Sequence, residues 1–443
     1  MRRPMIVACL LLVFAIEAAP AADDRYWPQW RGPRATGVAP AGDPPTSWSE
    51  TENVRWKVAL PGEGSASPVV WGDRVFVLAA VPAGPGERSG GNFFTRLRRR
   101  IMGTVGTGEQ LQFMVLAIDR RDGSVVWERT AVSEQPHEGR HGTGSWAPAS
   151  AVTDGEVVCA FFGSRGVYCY DLDGELQWER DLGDMRIRMG FGEGASPALH
   201  GDSLVVVWDH EGQSFITALD KRTGAELWRT DRDEMTSWST PLVVEAPGGS
   251  QVVTSATDGV RSYDLETGRL VWEGEGVTVN AIPSPVAGDG LVYLMSGYRG
   301  SRLYAVDLAT ARGDITGTDA VVWSLDRDTP YVPSPVLYDG TLYFTKSNSG
   351  VLSAYDAATG RHLFGPDRLP GIRNLYASPV AAAGRLYVTS RDGATAVLEA
   401  GDALSVIGIS HLDDEFDASP AIAGGEIYLR GRGHLYCIAA EPL

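Results

Sequence analysis

The chain has 443 residues, of which 43% are hydrophobic and 21% are charged, and its formal net charge is −17 at pH 7. That hydrophobic fraction is sufficient for a large core. So acidic a chain argues against general nucleic-acid binding, because phosphate backbones are bound by clustered lysines and arginines.

The first predicted element is a secretory signal over residues 1–22. It has the pair Arg2-Arg3, an apolar run from Met5 to Ile16 and small residues before a cleavage point near Ala21 or Ala22, which is the pattern of a signal peptide. We therefore expect the mature protein, residues 23–443, in the periplasm or outside the cell.

The rest of the chain repeats one unit. Each copy begins Ser-Pro or a close variant and continues with short β-branched or aromatic runs separated by Gly and Asp turns. Six of its prolines are spaced 44, 44, 50, 44 and 41 residues apart: Pro197, Pro241, Pro285, Pro335, Pro379 and Pro420. Pro68 opens an earlier copy, and Ser150 stands where another copy begins. A period of about 40–50 residues holding four strands predicts propeller blades.

A second regularity is an aromatic residue four positions after a turn glycine. The pairs are Gly123/Trp127, Gly174/Trp178, Gly224/Trp228, Gly268/Trp272 and Gly360/Phe364. Trp323 follows a longer turn, and the seventh copy has Ile407 near the aromatic position. An aromatic ring at a fixed place in each outer strand can bury its apolar face between neighbouring blades.

The last copy lacks an outer strand, and a spare strand around Trp56 precedes the first copy. Pairing the two would close the ring and remove its exposed sheet edges. We therefore predict an all-β fold, a single eight-bladed β-propeller of four-stranded antiparallel blades over residues 23–443, closed by the strand around Trp56.

Residues 82–112 interrupt the first blade as an inserted loop. Within it, residues 93–102 place Phe93, Leu97 and Ile101 on one helical face with arginines around them. A short basic amphipathic helix suits a membrane surface or a partner groove. A flexible loop is the alternative, because the segment is short and flanked by glycine.

The strand order puts the loops that precede the inner strands, and the turns between second and third strands, on one face, here called the loop-rich face. Polar and aromatic residues there are candidates for an axial site: Glu63, Glu193, Trp238, Asn280, Tyr331, Asn374 and Asp417. Their oxygens could hold Ca²⁺, or they could form a hydrated funnel.

The same face is predicted to carry arginines: Arg165, Arg186, Arg188, Arg299, Arg391, Arg430 and Arg432. The opposite face, the Asp-turn face, holds Asp73, Asp154, Asp202, Asp289 and Asp339. Arginine suits carboxylate or phosphate partners, so a polycarboxylate, an acidic peptide or a sulfated glycan would fit. Solvated turn arginines are the alternative.

Two further patterns concern metal and cysteine chemistry. His137-Glu138-x-x-His141 matches a zinc-protease string, but its glycines and Pro136 oppose the helix that the motif needs, so we reject that role. We expect isolated, exposed histidines, and the alternative is a looser metal site formed with His210 and Glu211 of another loop. Cys159 and Cys169 lie nearly opposite each other in one hairpin, where either a disulfide or two reduced thiols would fit.

The unit Ala218-x-Asp-x-x-Thr-Gly-x-x-x-Trp228 resembles the tryptophan-docking repeat of quinoprotein dehydrogenases and of non-catalytic propellers that share it. The opening Trp27-Pro-Gln-Trp30-Arg-Gly-Pro33 is similar to the start of many such proteins. The enzymes of that family imply an axial pyrroloquinoline quinone, Ca²⁺ held by Glu and Asn, an Asp base and a vicinal Cys–Cys disulfide. This sequence has no adjacent cysteines.

These observations favour a monomeric, non-enzymatic propeller that binds a protein or an acidic ligand through its loop-rich face, with no cofactor. The alternative is an alcohol or sugar dehydrogenase that depends on pyrroloquinoline quinone and Ca²⁺, with Glu193 and Asp417 at its centre. Polysaccharide binding through aromatics such as Trp238 and Tyr331 is a third hypothesis.

Overall fold

The structure, a computed structural model, describes residues 23–84 and 103–440. Eight antiparallel four-stranded sheets surround a common axis, and one of them gains a short fifth strand. The predicted all-β, eight-bladed propeller is therefore confirmed. The predicted signal at residues 1–22 and the predicted basic helix at 93–102 lie outside the described residues.

The first strand, β1 (Val54–Ala59), belongs to the last blade, and the remaining strands follow in chain order. From the axis outward, blade 1 consists of β2 (Val69–Trp71), β3 (Arg74–Pro82), β5 (Leu111–Asp119) and β6 (Val125–Glu134). Blade 2 consists of β8 (Val152–Thr153), β9 (Val157–Phe161), β10 (Val167–Asp171) and β11 (Leu176–Arg180). A separate ribbon on the loop-rich face pairs β4 (Thr104–Val105) with β7 (Arg140–His141).

Blades 3 to 5 have the same order. Blade 3 consists of β12 (Ala198–His200), β13 (Ser203–Trp208), β14 (Ser214–Asp220) and β15 (Glu226–Arg232). Blade 4 consists of β16 (Leu242–Ala246), β17 (Gly249–Ser255), β18 (Gly259–Asp264) and β19 (Leu270–Glu275). Blade 5 consists of β20 (Val286–Gly288), β21 (Leu291–Ser296), β22 (Arg302–Asp307) and β24 (Val321–Leu325). The fifth strand of blade 4 is β23 (Gly313–Asp314), which comes from the turn of blade 5 and pairs in parallel with β19.

Blades 6 to 8 complete the ring. Blade 6 consists of β25 (Val336–Tyr338), β26 (Thr341–Thr345), β27 (Val351–Asp356) and β28 (His362–Arg368). Blade 7 consists of β29 (Val380–Ala382), β30 (Arg385–Thr389), β31 (Ala394–Glu399) and β32 (Ser405–His411). Blade 8 consists of β33 (Ala421–Ala423), β34 (Glu426–Arg430) and β35 (His434–Ala439), with β1 as its outer strand. Trp56 of β1 pairs with Cys437 of β35, so the strand around Trp56 closes the ring as predicted.

The repeated tryptophan docks one blade onto the next. Trp228 Nε1 donates to the carbonyl oxygen of Leu265 at 2.8 Å, and its ring lies against Gly268, whose φ is +69°. Glycine is required there because φ is positive and because a Cβ would overlap the ring. The same contact recurs for Trp56, Trp127, Trp178 and Trp323. The predicted burial of these aromatics between blades is confirmed.

Trp272 is the exception, and the long turn of blade 5 explains it. Strand β23 pairs with β19 beside this ring, and Trp272 is fully buried. Its Nε1 donates to Gln251 Oε1 at 3.3 Å within its own blade. The extra turn residues therefore cover a tryptophan that has lost its usual partner in the next blade.

A belt of hydroxyl groups encircles the axis at the start of the inner strands. We call it the hydroxyl belt, and its members are Ser67, Ser150, Ser196, Thr240, Ser284, Ser334, Ser378 and Ser419. The backbone N–H of each of the first seven donates to the side-chain oxygen of the next member, at 2.8–3.2 Å. The repeated Ser-Pro is therefore a joint between neighbouring blades.

Residues 23–53 close the axis on the Asp-turn face. Trp27 pairs with Val70 of blade 1, and the chain bridges Ala381 of blade 7 at Val38. Arg31 is 1% exposed, and its guanidinium donates to the carbonyl oxygens of Pro335 and Pro379, each at 2.5 Å. This segment, which carries no repeat, thus spans several blades and plugs the axis.

A few other features complete the described part of the chain. The helices of the described residues are the single 3₁₀ turns Gly163–Arg165 and Arg188–Gly190. Among these residues, no helix has the length and apolar character needed to cross a membrane.

Cys159 and Cys169 form a disulfide between β9 and β10, which resolves the alternative left open by the sequence. Cys437 is a free, buried thiol.

Candidate functional site

A cavity of about 440 Å³ lies on the axis. Its floor is formed by Trp30 and by six members of the hydroxyl belt, Ser196, Thr240, Ser284, Ser334, Ser378 and Ser419. Its walls rise towards the loop-rich face and are largely aromatic, with Phe191, Trp238, Tyr298, Tyr331 and Tyr376. Since the plug lies beneath the floor, the cavity is reached from the loop-rich face.

The aromatic walls are held by specific contacts. Trp238 Nε1 donates to the carbonyl oxygen of Gly192 at 2.7 Å. Tyr298 and Tyr331 stack with ring centroids 4.6 Å apart. Burial raises the pKa of Tyr331, so its hydroxyl stays a hydrogen-bond donor at neutral pH. These rings form a fixed apolar surface around the axis.

Of the seven predicted axial residues, four line this cavity: Glu193, Trp238, Tyr331 and Asp417. Glu63 instead lines a separate cavity of about 420 Å³ beside blade 1. Asn280 is 4% exposed, and its Oδ1 has no partner among the described residues. Asn374 is exposed and bridges Ser349. The structure therefore brings together four of the seven residues that the sequence suggested would converge, and it places Glu63, Asn280 and Asn374 outside the lining of this cavity.

Each of the three carboxylates in the set is already paired with an arginine. Glu193 accepts from Ser164 N at 3.0 Å, Ser164 Oγ at 2.5 Å and Arg165 Nη1 at 3.0 Å. Glu63 Oε2 accepts from Arg140 Nη2 at 2.7 Å. Charge-assisted bonds of this kind occupy the oxygens that a cation would need.

Asp417 shows the same arrangement at the other side of the cavity. Its carboxylate accepts from Arg391 Nε and, at 3.1 Å, from Arg391 Nη2, and Arg432 Nη2 lies 3.4 Å away. Arg391 also lies over the ring of Tyr376, 4.2 Å from its centroid. The mouth of the cavity is thus lined by neutralised ion pairs.

These residues do not fit the centre that the dehydrogenase resemblance implies. Calcium needs six to eight oxygen ligands around one point, whereas Glu63, Glu193 and Asp417 are each bonded to guanidinium groups in separate places. Within residues 23–84 and 103–440, no group of three or more His, Cys, Asp and Glu could hold a metal ion.

The predicted arginines have three different environments. Arg165 and Arg430 are buried, at 8% and 2% exposure, and Arg391 is paired with Asp417. Arg186, Arg299 and Arg432 are exposed, and Arg188 is half-buried. The loop-rich face therefore carries fewer free cations than the sequence suggested, because several of its arginines neutralise the axial carboxylates.

The loop that leads into blade 3 projects from the loop-rich face. Met189 is 50% exposed at its tip with φ of 55°, and Arg186 and Arg188 lie beside it. The loop is held from below, since Ile187 N donates to Glu138 Oε2 at 2.7 Å and Arg188 N donates to Thr236 Oγ1 at 3.0 Å. We call Arg186, Arg188 and Met189 the rim patch.

The histidine motif has structural contacts. Arg140 and His141 form strand β7, His137 Nε2 lies 2.7 Å from the carbonyl oxygen of Met185, and Glu138 holds the rim-patch loop. His210, considered beside Glu211 for a looser metal site, accepts from Arg186 N at Nδ1. The segment is not helical, as its glycines predicted.

Several residues of the site were not predicted from the sequence. His141 Nδ1 lies 2.8 Å from Thr143 Oγ1, which lies 3.1 Å from Tyr376 Oη. Trp30 and the belt hydroxyls were also missed. The repeated Ser-Pro was a usable signal for the belt, because a small hydroxyl residue at one place in every blade must face the axis.

The fold and this site define a propeller whose axial carboxylates are neutralised and whose loop-rich face is open. The family model described as "Outer membrane protein assembly factor BamB" matches residues 41–180, 101–213 and 163–314, which together cover more than half of the chain. The chain belongs to this family of PQQ-like propellers.

Individual relatives agree with the family. Outer membrane protein assembly factor BamB of Yersinia pestis is 24% identical over 359 residues, covering 77% of this chain and 84% of the relative. The protein of the same name from Burkholderia pseudomallei (strain K96243) is 27% identical over 266 residues, covering 57% and 60%.

Solved structures show the same fold with different functions. BamB from Moraxella catarrhalis matches with a TM-score of 0.57 at 15% identity, covering 87% of this chain and 99% of that one. A europium-containing methanol dehydrogenase matches with a TM-score of 0.61 at 11% identity, covering 93% and 91%. At such identities the likeness shows the fold alone, and function must be argued from the site.

Proposed function

We propose that this protein is a non-enzymatic binding propeller that holds a protein partner during outer-membrane protein assembly. The family's name and the two curated relatives support this proposal. The observation that carries it is the rim patch, an exposed methionine flanked by arginines on an anchored loop.

The rim patch has the chemistry of a protein-binding surface. Methionine and arginine are enriched at protein interfaces, and a half-exposed methionine can adapt its shape to a partner. The hydrogen bonds beneath Ile187 and Arg188 fix the loop before binding, which lowers the entropy lost on association. The arginines would favour an acidic segment of that partner.

We place this function in the periplasm, with residues 1–22 as the export signal and the mature propeller acting as a monomer. Residues 93–102 would supply a second, basic contact to the partner or to a membrane surface. No nucleic acid is involved, given the acidic net charge of −17.

The dehydrogenase alternative is weaker because the carboxylates of Glu193 and Asp417 are bonded to Arg165 and Arg391. It is tested separately by titrating the mature protein with pyrroloquinoline quinone, with and without Ca²⁺, and following tryptophan fluorescence. Saturable, Ca²⁺-dependent quenching would support the enzyme, and its absence would support the binding role.

The partner proposal is tested by affinity capture from cross-linked envelopes of the organism that encodes the protein. The Met189→Asp and Arg186→Glu variants should each recover at least about tenfold less of an outer-membrane assembly protein. Leu227→Asp and Arg361→Glu are matched controls, since Leu227 is 49% exposed on the outer strand of blade 3 and Arg361 lies in an Asp-turn. Equal loss in the controls would contradict the proposal.

A further inference from the structure

Five arginines are buried in the described part of the chain, and two of them have no carboxylate partner there. Arg140, Arg165 and Arg232 are paired with Glu63, Glu193 and Asp209. The unpaired two are Arg31 and Arg430, at 1% and 2% exposure.

Both unpaired guanidinium groups lie next to the hydroxyl belt. Arg31 donates to the carbonyl oxygens of Pro335 and Pro379, the residues that follow Ser334 and Ser378. Arg430 Nη1 donates to the carbonyl oxygen of Ala66 at 3.2 Å, directly before Ser67. The Nε of each has no partner among the described residues.

A buried charge without a counter-ion is unfavourable. Burial accordingly lowers the pKa of both Arg31 and Arg430 to about 9. An arginine nevertheless keeps its proton at neutral pH, so two positive charges remain beside the axis. Arg31 directly follows Trp30 of the cavity floor and is bonded beside Ser334 and Ser378, so its charge would favour an anion in the cavity.

The belt adds hydrogen-bond donors to this positive environment. Each of the six belt oxygens that line the cavity accepts a backbone N–H from the preceding blade. Across residues 23–84 and 103–440, none of the six hydroxyls donates its own proton to a protein acceptor. All six are at least nine-tenths buried and line the cavity. Since their O–H groups have no protein acceptor, they can donate to a ligand in the cavity.

We propose that the axial cavity binds an organic monoanion, a carboxylate joined to an aromatic body. The carboxylate would accept from the six belt hydroxyls that line the cavity, and the aromatic body would lie against Trp238 and the stacked Tyr298 and Tyr331. A cavity of about 440 Å³ is suited to a ligand of this size. This site is distinct from the rim patch and needs no metal ion.

Two sources share this chemistry, a free aromatic acid and the carboxyl terminus of a peptide that ends in an aromatic residue. Isothermal titration of the purified mature protein with 3-phenylpropionate and with 3-phenylpropionamide tests the first. A hexapeptide that ends in phenylalanine, with a free or an amidated terminus, tests the second. In one of these two titrations we expect one-to-one binding, with the acid bound at least about tenfold more tightly than its amide. The titration that shows this preference identifies whether the ligand is a free aromatic acid or a peptide terminus.

Ser378→Ala and Ser150→Ala form a matched pair of variants. Each substitution removes one belt oxygen that accepts a backbone N–H from the preceding blade. Of the two serines, only Ser378 lines the cavity. Ser378→Ala should weaken binding of the acid several-fold, and Ser150→Ala should leave it unchanged. Equal effects of the two, equal affinity for acid and amide, or no saturation in both arms would overturn the proposal.

Arg31→Met tests the buried charge and should reduce the preference for the acid, whereas Arg31→Lys should retain it. If Arg31→Met fails to fold, the serine pair still decides the question. Met189→Asp should leave binding of the acid unchanged, so failure of this inference is distinguishable from failure of the partner proposal.

Discussion

The two ends of the propeller axis are built in different ways. On the Asp-turn face, residues 23–53 pair with several blades and Arg31 plugs the axis, while the repeated tryptophans dock on glycine turns. On the loop-rich face, each blade has a different loop, and Arg–carboxylate pairs line an open cavity.

This difference separates stability from function. Apart from the plug of residues 23–53, the Asp-turn face is encoded by the repeat, so its residues serve the joints between blades. The loop-rich face is encoded by segments that differ from blade to blade, which is where binding residues usually lie. Changes to the first face should therefore lower stability, and changes to the second should alter binding.

The largest effect is expected at a docking tryptophan. Trp228→Ala removes a ring that is 8% exposed and its bond to Leu265, so the free energy of unfolding should fall by about 3–5 kcal/mol. Guanidinium titration measures this. Leu227→Ala, at the exposed neighbour, should stay within about 0.5 kcal/mol, and similar losses for both would contradict the docking role.

A smaller loss is expected at the glycine beneath that ring. Gly268→Ala forces a positive φ and places a Cβ against Trp228, so stability should fall by about 2–3 kcal/mol. Gly290 also has positive φ, but nothing lies within 4 Å of an added Cβ. Gly290→Ala should therefore cost only about 1 kcal/mol, and the difference between the two, measured by denaturant titration, isolates the contact with the ring.

Stability should also depend on pH through Glu234 near the loop-rich face. Burial raises the pKa of this carboxyl to about 7, above its value of about 4.5 in the unfolded chain. The folded state therefore binds more protons between these values, and stability should fall as pH rises from about 4.5 to about 7, by at most about 1.4 kcal/mol per pH unit. Glu234→Gln should flatten this slope in thermal melts, and an unchanged slope would contradict the assignment.

The smallest effect on stability is expected at the rim patch. Met189→Asp replaces a half-exposed side chain, so its free energy of unfolding should stay within about 0.5 kcal/mol of the parent. Partner capture should nevertheless fall. A destabilisation comparable to that of Trp228→Ala would show that the loop serves the fold.

The fold was predictable from the sequence because every blade repeats the same solution. The spacing of Ser-Pro, the turn glycines and the following tryptophans specified the blades, and the unpaired strand around Trp56 specified the closure. The plug was not predicted, since Arg31 occurs once and its carbonyl partners lie more than 300 residues away.

The candidate site was predicted less completely. Strand order identified the loop-rich face and placed Glu193, Trp238, Tyr331 and Asp417 near the axis. Sequence could not show which arginine would pair with which carboxylate, because Arg391 and Asp417 meet only when two blades close together. Met189 carried no signal, since methionine is among the residues that are most often buried.

The most direct test of the division between the two faces is photo-cross-linking in living cells. A photoreactive phenylalanine analogue would replace Met189 on the loop-rich face or Arg361 in an Asp-turn. We expect an adduct with an outer-membrane assembly protein from position 189 and none from position 361. The same adduct from position 361, or no adduct from position 189, would contradict it.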